Sequence, residues 1–393
     1  MNGINTLAHN GLLNSIPETH GRVQNVLEQL QLFENVEPYD MDLAKLVSLA
    51  RSDEATNIRD KIYALLSLAT DTTDLHMVVN KQHVPFEIDY TKSVKEIYTD
   101  AAQAMIRSSG LQDILTQARR RKDSIHDLAT WVPDWSVTRV EFGIDKHAWR
   151  PNSMKIGYHG NDITHAGGKY LKNFKASRRN ACPDFHEDGT LHVQGIHFDD
   201  LKGLNGTYPG SSFGGADLIT WLEECDQLAA QCLPDRTSGS KTEALWRTLI
   251  ADQMGNIRPA PPTTEEEFWN FRLFLKRLQL PYDENLDEDL VYSVKDATPF
   301  TAEIGSRCKS RQFAITHGKY MCLVPDTAKI GDTVAIIDGC SIPTILRPDQ
   351  GQFRLIGDCY VHGIMYGENE RPATRSSRRK SCIRNEIRKF IIK

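Results

Sequence analysis

The sequence predicts an α+β protein in which a helical N-terminal layer packs on a small C-terminal antiparallel β-barrel. Three observations carry this. Apolar residues recur at helical spacing through the first third of the chain, residues 190–198 alternate like a strand, and 311–364 breaks into five short apolar runs about ten residues apart. The 393 residues, 40% apolar, suffice to bury a sizeable core.

In order, segments 22–33 and 41–51 place apolar residues on one helical face, and 58–69 does so with Ile62, Leu65, Leu66 and Ala69. After an extended piece at 85–90, Thr91 is the expected N-cap of a helix over about 92–107. The run at 119–122 (RRRK) reads as a basic surface loop. From 131 to about 185 periodicity fades into aromatics, glycines and histidines, an irregular segment of the kind that carries function. Strand 190–198 is followed by helices near 214–232, 241–252 and 264–279, an acidic turn at 283–290, and the runs QFAITH, GKYMCLV, GDTVAII, IPTILR and FRLIGDCYVHG split by Gly, Pro and Asp turns. The tail, 371–393, holds nine Lys or Arg against one Glu and places Ile383, Ile387, Phe390 and Ile391 at helical spacing, so a weakly docked helix is expected there. The organisation is then a helical region at 1–130, an aromatic-rich linker at 131–189, a barrel with inserted helices (214–280) at 190–370, and the basic tail at 371–393.

A net charge of −5 gives no reason to expect nucleic acid, and neither a membrane span nor a signal peptide is evident, so a cytoplasmic protein without integral membrane contact is expected. The basic tail is expected to make at most a weak surface contact. Eight cysteines show no paired spacing of the kind that holds zinc. His192 and His197, five apart on one strand, point to opposite faces and suit shared ligation poorly. With no phosphate loop, dinucleotide fingerprint, H-E-x-x-H or EF-hand pattern, neither metal nor cofactor is expected.

Several stretches together resemble the fungal heterokaryon-incompatibility family, in the region that follows its signalling core. They are RDKIYALLSLATD (59–71), IDYTKSVKEIYTDAA (88–102), WVPDWS (131–136), ALWRTLIAD (244–252) with RPAPP (258–262), and GKYMCLVPDTAKIGDTVAIIDGCSIPTILRP (318–348) with FRLIGDCYVHGIMYGE (353–368). The resemblance implies an upstream core of TIR-like fold. Only 58 residues precede RDKIYALL, so that core is expected to be missing. Chains resembling this region also occur beside fungal natural-product genes.

Two functions follow. The leading expectation is a cofactor-independent enzyme of secondary metabolism that cyclises or isomerises an apolar terpenoid or polyketide intermediate, by a Diels–Alder-like or related ring closure. Such chemistry needs a shaped pocket and a hydrogen bond to a polarised carbonyl. The alternative is an incompatibility or cell-death recognition module without its effector domain. In CYVHGIMYGE (359–368) a two-residue period puts Tyr360 and His362 on one strand face and Val361 on the other. Tyr360 and His362 are the expected catalytic pair, with Arg347 to hold a carboxylate and Trp131, Trp135 and Asp134 to line an apolar substrate. Each has a structural reading too: a core plug with an Asp134 cap for the WVPDWS elbow, and a salt bridge to Asp332 or Asp358 for Arg347.

Overall fold

The computed structural model of the chain describes residues 42–73, 76–79, 82–86, 88–119, 127–137, 144, 173–210, 216–232, 240–255, 257–278, 299–368 and 386–393. The expected helix at 22–33, the basic loop beyond Arg119, the coil over 145–172 and the acidic turn at 283–290 lie outside these residues.

Helices form where apolar spacing and caps agree. The first, α1 (Leu43–Leu49), starts at Asp42, whose side chain accepts from the Lys45 amide. The expected helix at 58–69 is shorter: α2 covers Asp60–Tyr63 and a 3-10 turn takes Leu66–Leu68, with the Thr72 hydroxyl on the carbonyls of Leu66 and Ala69. A small hairpin sheet follows, β1 (Thr72–Thr73), β2 (His76–Val79) and β3 (Gln82–Pro85). Helix α3 (Val94–Ser108) is capped by Ser93 rather than the expected Thr91, because Ser93 and Glu96 complete a reciprocal capping box. Helix α4 (Leu111–Gln117) completes the layer.

The main sheet has nine strands among the described residues. These are β4 (Asp184–Phe185), β5 (Leu191–Thr207), β6 (Arg311–Thr316), β7 (Met321–Pro325), β8 (Thr333–Ile337), β9 (Thr344–Asp349), β10 (Gln352–Asp358), β11 (Tyr360–Val361) and β12 (Ile387–Ile392). The order runs β11-β7-β6-β5-β12-β10-β9-β8, with β4 on β5 and a further pairing of β5 with β8. Strand β5 organises the sheet. Its first half pairs with β12 (Phe390 opposite Val193) and β8 (Ile336 opposite Ile196), and its second half pairs with β6. Between β5 and β6 lie α5 (Ala216–Ala230), α6 (Lys241–Leu249) and α7 (Thr264–Leu278).

Alternation along the strands sorts side chains into three cores. Ala314, Cys322, Val324, Val334, Ile336, Ile345, Ile356 and Val361 form one cluster. Their neighbours Ala335, Ile337, Leu346 and Leu355 pack with the N-terminal helices, while Phe313, Ile315, Leu323 and Tyr360 pack with α5–α7. Both faces of the sheet are therefore covered, which is why β6, β7 and β8 are buried along their whole length and read as unbroken apolar runs.

The tail departs from expectation. Instead of a weakly docked helix, its end is β12, inserted between β5 and β10 with Phe390 and Ile392 buried. The sequence Ile-Arg-Lys-Phe-Ile-Ile is β-branched and aromatic, and alternation prevailed over the helical spacing. Lys393 fastens the end: its carbonyl accepts from the Thr130 amide at 2.9 Å and its amide donates to Phe353 at 2.9 Å.

Candidate functional site

Tyr360 and His362 stand at the end of β11, above the helices inserted after β5. The two-residue period holds: Val361 points into the sheet cluster and Tyr360 into the core under α5–α7. The Tyr360 hydroxyl lies 3.1 Å from His362 Nδ1, and the His362 amide donates to the Met321 carbonyl at 2.9 Å. Tyr360 is 1% and His362 7% exposed. Burial pushes the Tyr360 phenol well above its ordinary range, with Asp252 and Tyr366 acting in the same direction.

A second buried group abuts this pair. The turn after α6 carries Ala251 at φ 49° and Asp252 at φ 54°, left-handed values uncommon for residues with a side chain. That turn aims the Asp252 carboxylate inward. One oxygen accepts from Arg247 at 2.5 Å and the other from the Tyr366 hydroxyl at 2.8 Å. Arg247 also donates to the Ala260 carbonyl at 2.7 Å and lies over the Trp246 ring. Burial raises the Asp252 carboxyl above its usual range, against the lowering effects of Arg247, Tyr366 and His362. Phe174 closes the group, 6.2 Å from Tyr360 and 5.8 Å from Tyr366 by ring centroids, with the Arg258 guanidinium over the Phe174 ring at 4.1 Å from its centre. Chemically, this is a phenol, an imidazole and a carboxylate in one low-dielectric enclosure, a network that fixes geometry strongly when satisfied.

The other expected site residues do not join it. Trp131 and Trp135 are 0% exposed and belong to the core shared with the N-terminal helices. Trp131 Nε1 donates to the Gly189 carbonyl at 2.9 Å, and Trp135 Nε1 to Gln117 Oε1 at 3.2 Å. Asp134 accepts from the Ser136 amide at 3.1 Å, closing the elbow as a local cap. Arg347 is engaged by Asp332 through two contacts of 2.8 Å, and donates to the Thr327 carbonyl at 2.8 Å. The residues expected to share one site thus fall apart: the indoles seal one core while Tyr360 seals another.

Sequence reasoning missed Arg247, Asp252 and Tyr366. The family stretch ALWRTLIAD contains the first two, but nothing in it announces a left-handed turn, and Tyr366 lies 114 residues from Asp252. It also missed Arg51, buried, whose guanidinium binds the carbonyls of Gln117, Asp134 and Val137 and so pins the WVPDWS elbow.

On the outer side of α5 and α7 lies an apolar groove of about 460 Å³. Ile219, Leu222, Trp269 and Leu273 line it, with Arg272 and Lys276 among the charged residues. Trp269 and Leu273, one turn apart, are 53% and 51% exposed.

Residues 293–380 match the family described as the Het-6 beta-barrel domain. In an alignment 353 residues long that covers 80% of this chain, the sequence is 24% identical to heterokaryon incompatibility protein 6, OR allele, of Neurospora crassa. Both matches point to a relation with the heterokaryon-incompatibility proteins, through the Het-6 beta-barrel domain and beyond it. The chain spans about half (49%) of that relative's length, and no solved structure matches it. The family match takes in β6 through β11, hence Arg347, Tyr360, His362 and Tyr366, while α6 and its Asp252 lie upstream of it. Among the described residues no helix is long and apolar enough to cross a membrane.

Proposed function

We propose that this chain works in heterokaryon incompatibility as a recognition module that binds a protein partner through the groove on α5 and α7. The observation that carries the reading is the likeness to the Neurospora incompatibility protein in an alignment 353 residues long, together with the Het-6 domain match. The groove supplies the physical means. A tryptophan and a leucine one turn apart, half exposed beside arginine and lysine, have the composition of an interface anchor. In this reading the main sheet closes into a small barrel through the β5–β8 pairing and serves as a rigid base. The helical region, linker, barrel and tail divide as the sequence organisation has them, except that the tail's last strand is part of the barrel.

The ring-closing enzyme has less to stand on. It needs an apolar substrate to reach Tyr360 and His362, which are almost fully buried, and neither lines the groove. The test is expression in a fungal host confronted with tester strains, scoring viable heterokaryons. The wild-type chain should lower viability with at least one tester, and Trp269→Ser with Leu273→Asp should restore it while the protein stays folded. Unchanged viability with wild-type protein across the testers, or full activity of the folded double variant, overturns the proposal.

A further inference from the structure

The hairpin that joins β4 to β5 collects three metal-ligand side chains on one exposed face. Asp184 pairs opposite His192 and Phe185 opposite Leu191, and the His186 amide donates to the Thr190 carbonyl at 3.0 Å. Glu187, Asp188 and Gly189 make the turn, with Gly189 at φ 81°, the left-handed position such three-residue loops require. Strand alternation then fixes the faces. Phe185 and Leu191 turn inward, where Phe185 lies 5.7 Å from the Trp131 ring, and Asp184, His186 and His192 share the other side.

We propose that Asp184, His186 and His192 form a binding site for a divalent transition metal of the zinc class. Their ligand atoms all lie within 4.8 Å of one another. His186 Nε2 is 2.9 Å from Asp184 Oδ2, and the two imidazoles are stacked with centroids 3.6 Å apart. Donors held about 2.1 Å from a tetrahedral ion sit about 3.4 Å from one another, so closure takes a movement of about an ångström by side chains of which two are exposed. Water completes the fourth position.

A second observation points to a ligand. His192 has one ring nitrogen 3.1 Å from the Thr190 hydroxyl, while its Nδ1 is sealed from solvent with no hydrogen-bond partner among the described residues. A ring flip that puts one nitrogen on the ion and leaves the other to Thr190 removes that deficit. Two imidazoles among three protein donors favour zinc, copper or nickel over calcium or magnesium, which prefer oxygen. Glu187 and Asp188 add negative charge at the turn. Lys389 on β12 acts on His192 from the neighbouring strand and opposes a cation, but it is exposed and its long stem lets it swing away.

This site revises the expectation of a metal-free protein. The sequence weighs His192 against His197, five residues along β5, whereas the partner that counts is His186 across the turn. The site stands apart from the groove and does not depend on the proposed recognition role.

The test is calorimetric titration of the full chain, stripped with chelator, with zinc ions alone. One zinc per chain with a dissociation constant in the micromolar range or tighter is expected, with His186→Ala and His192→Ala each weakening it at least tenfold. Lys389→Gln should tighten it, and saturating zinc should raise the thermal midpoint of wild type by about 2 °C but not that of the double histidine variant. Because the three side chains sit on the outer face of the hairpin, circular dichroism should show the variants folded. Zinc binding no tighter than millimolar, an equal site in the double variant, or equal affinity for magnesium overturns the proposal.

Discussion

At the scale of single residues, buried charges are the sharpest constraints in this protein. Arg311 on β6 and Asp358 at the end of β10 are 1% and 3% exposed, and the guanidinium makes 2.8 and 2.9 Å bonds to the aspartate's carboxylate and carbonyl. Asp358 also accepts from the Ile144 amide at 2.5 Å. Removing one partner strands the other charge in the core, so Asp358→Ala should cost about 3–5 kcal/mol by denaturant unfolding; a loss below 1 kcal/mol would show that water reaches Arg311. Tyr360→Phe deletes only the bond to His362 and should cost about 1 kcal/mol in the same assay. Of these relations the sequence shows only the nearest. A period of two places Tyr360 beside His362, and the alternatives considered for Arg347 include its actual partner, Asp332. The bonds from Arg247 and Tyr366 to Asp252 depend on a turn with two left-handed residues, and no propensity marks Ala251 or Asp252 for that conformation.

At the scale of elements, the strands with strong turns between them were legible, and β12 was not. Gly331, Gly339 and Gly351 punctuate 311–364 and all take positive φ, so each strand there announces its ends. In the tail, basic residues masked a strand because a period of two and a period of 3.6 both fit six residues. Strand β12 buries Phe390 and Ile392 and ties Lys393 to Thr130 and Phe353. Deleting 386–393 should therefore lower the thermal midpoint by 5 °C or more, or abolish soluble expression, where a weakly docked helix would leave it unchanged. The crossing of β5 by β8 is as exacting. A Cβ on Gly195 would fall 2.5 Å from the Ile336 carbonyl oxygen and 2.9 Å from Ile337 Cα, both backbone. Gly195→Ala should cost at least about 2 kcal/mol, checked by urea unfolding, because neither strand can retreat without breaking its pairing. A neutral result would mean that the two strands are less closely joined than the pairing implies.

At the scale of the whole molecule, the α+β class follows from counting patterns, but how its layers meet does not. The sheet is covered twice, and the N-terminal helices share their core with Leu191, Ala335, Leu346 and Phe390, residues from four strands far apart in sequence. The seam carries a carboxylate. Asp113, in the first turn of α4, is next to Gln112, whose side chain accepts from the Ile342 amide at 3.2 Å across the seam. Burial pushes the Asp113 carboxyl up to about 7, with Asp42 adding to the rise and Lys45 opposing it. Burial likewise raises Asp71, against hydrogen bonds from Leu43 and Ser108. A carboxyl whose folded value is raised binds its proton more tightly in the folded chain. Its stability contribution is whole below pH about 4 and is lost as pH climbs toward 7. Asp113→Asn removes the penalty for charging this group, so the variant should match wild type near pH 4 and exceed it by about 1–2 kcal/mol at pH 8. Urea unfolding at the two pH values measures the difference. A variant equally stable or weaker at pH 8 would mean that the seam hydrates the carboxylate, and that the helical layer meets the sheet less closely than their common core requires.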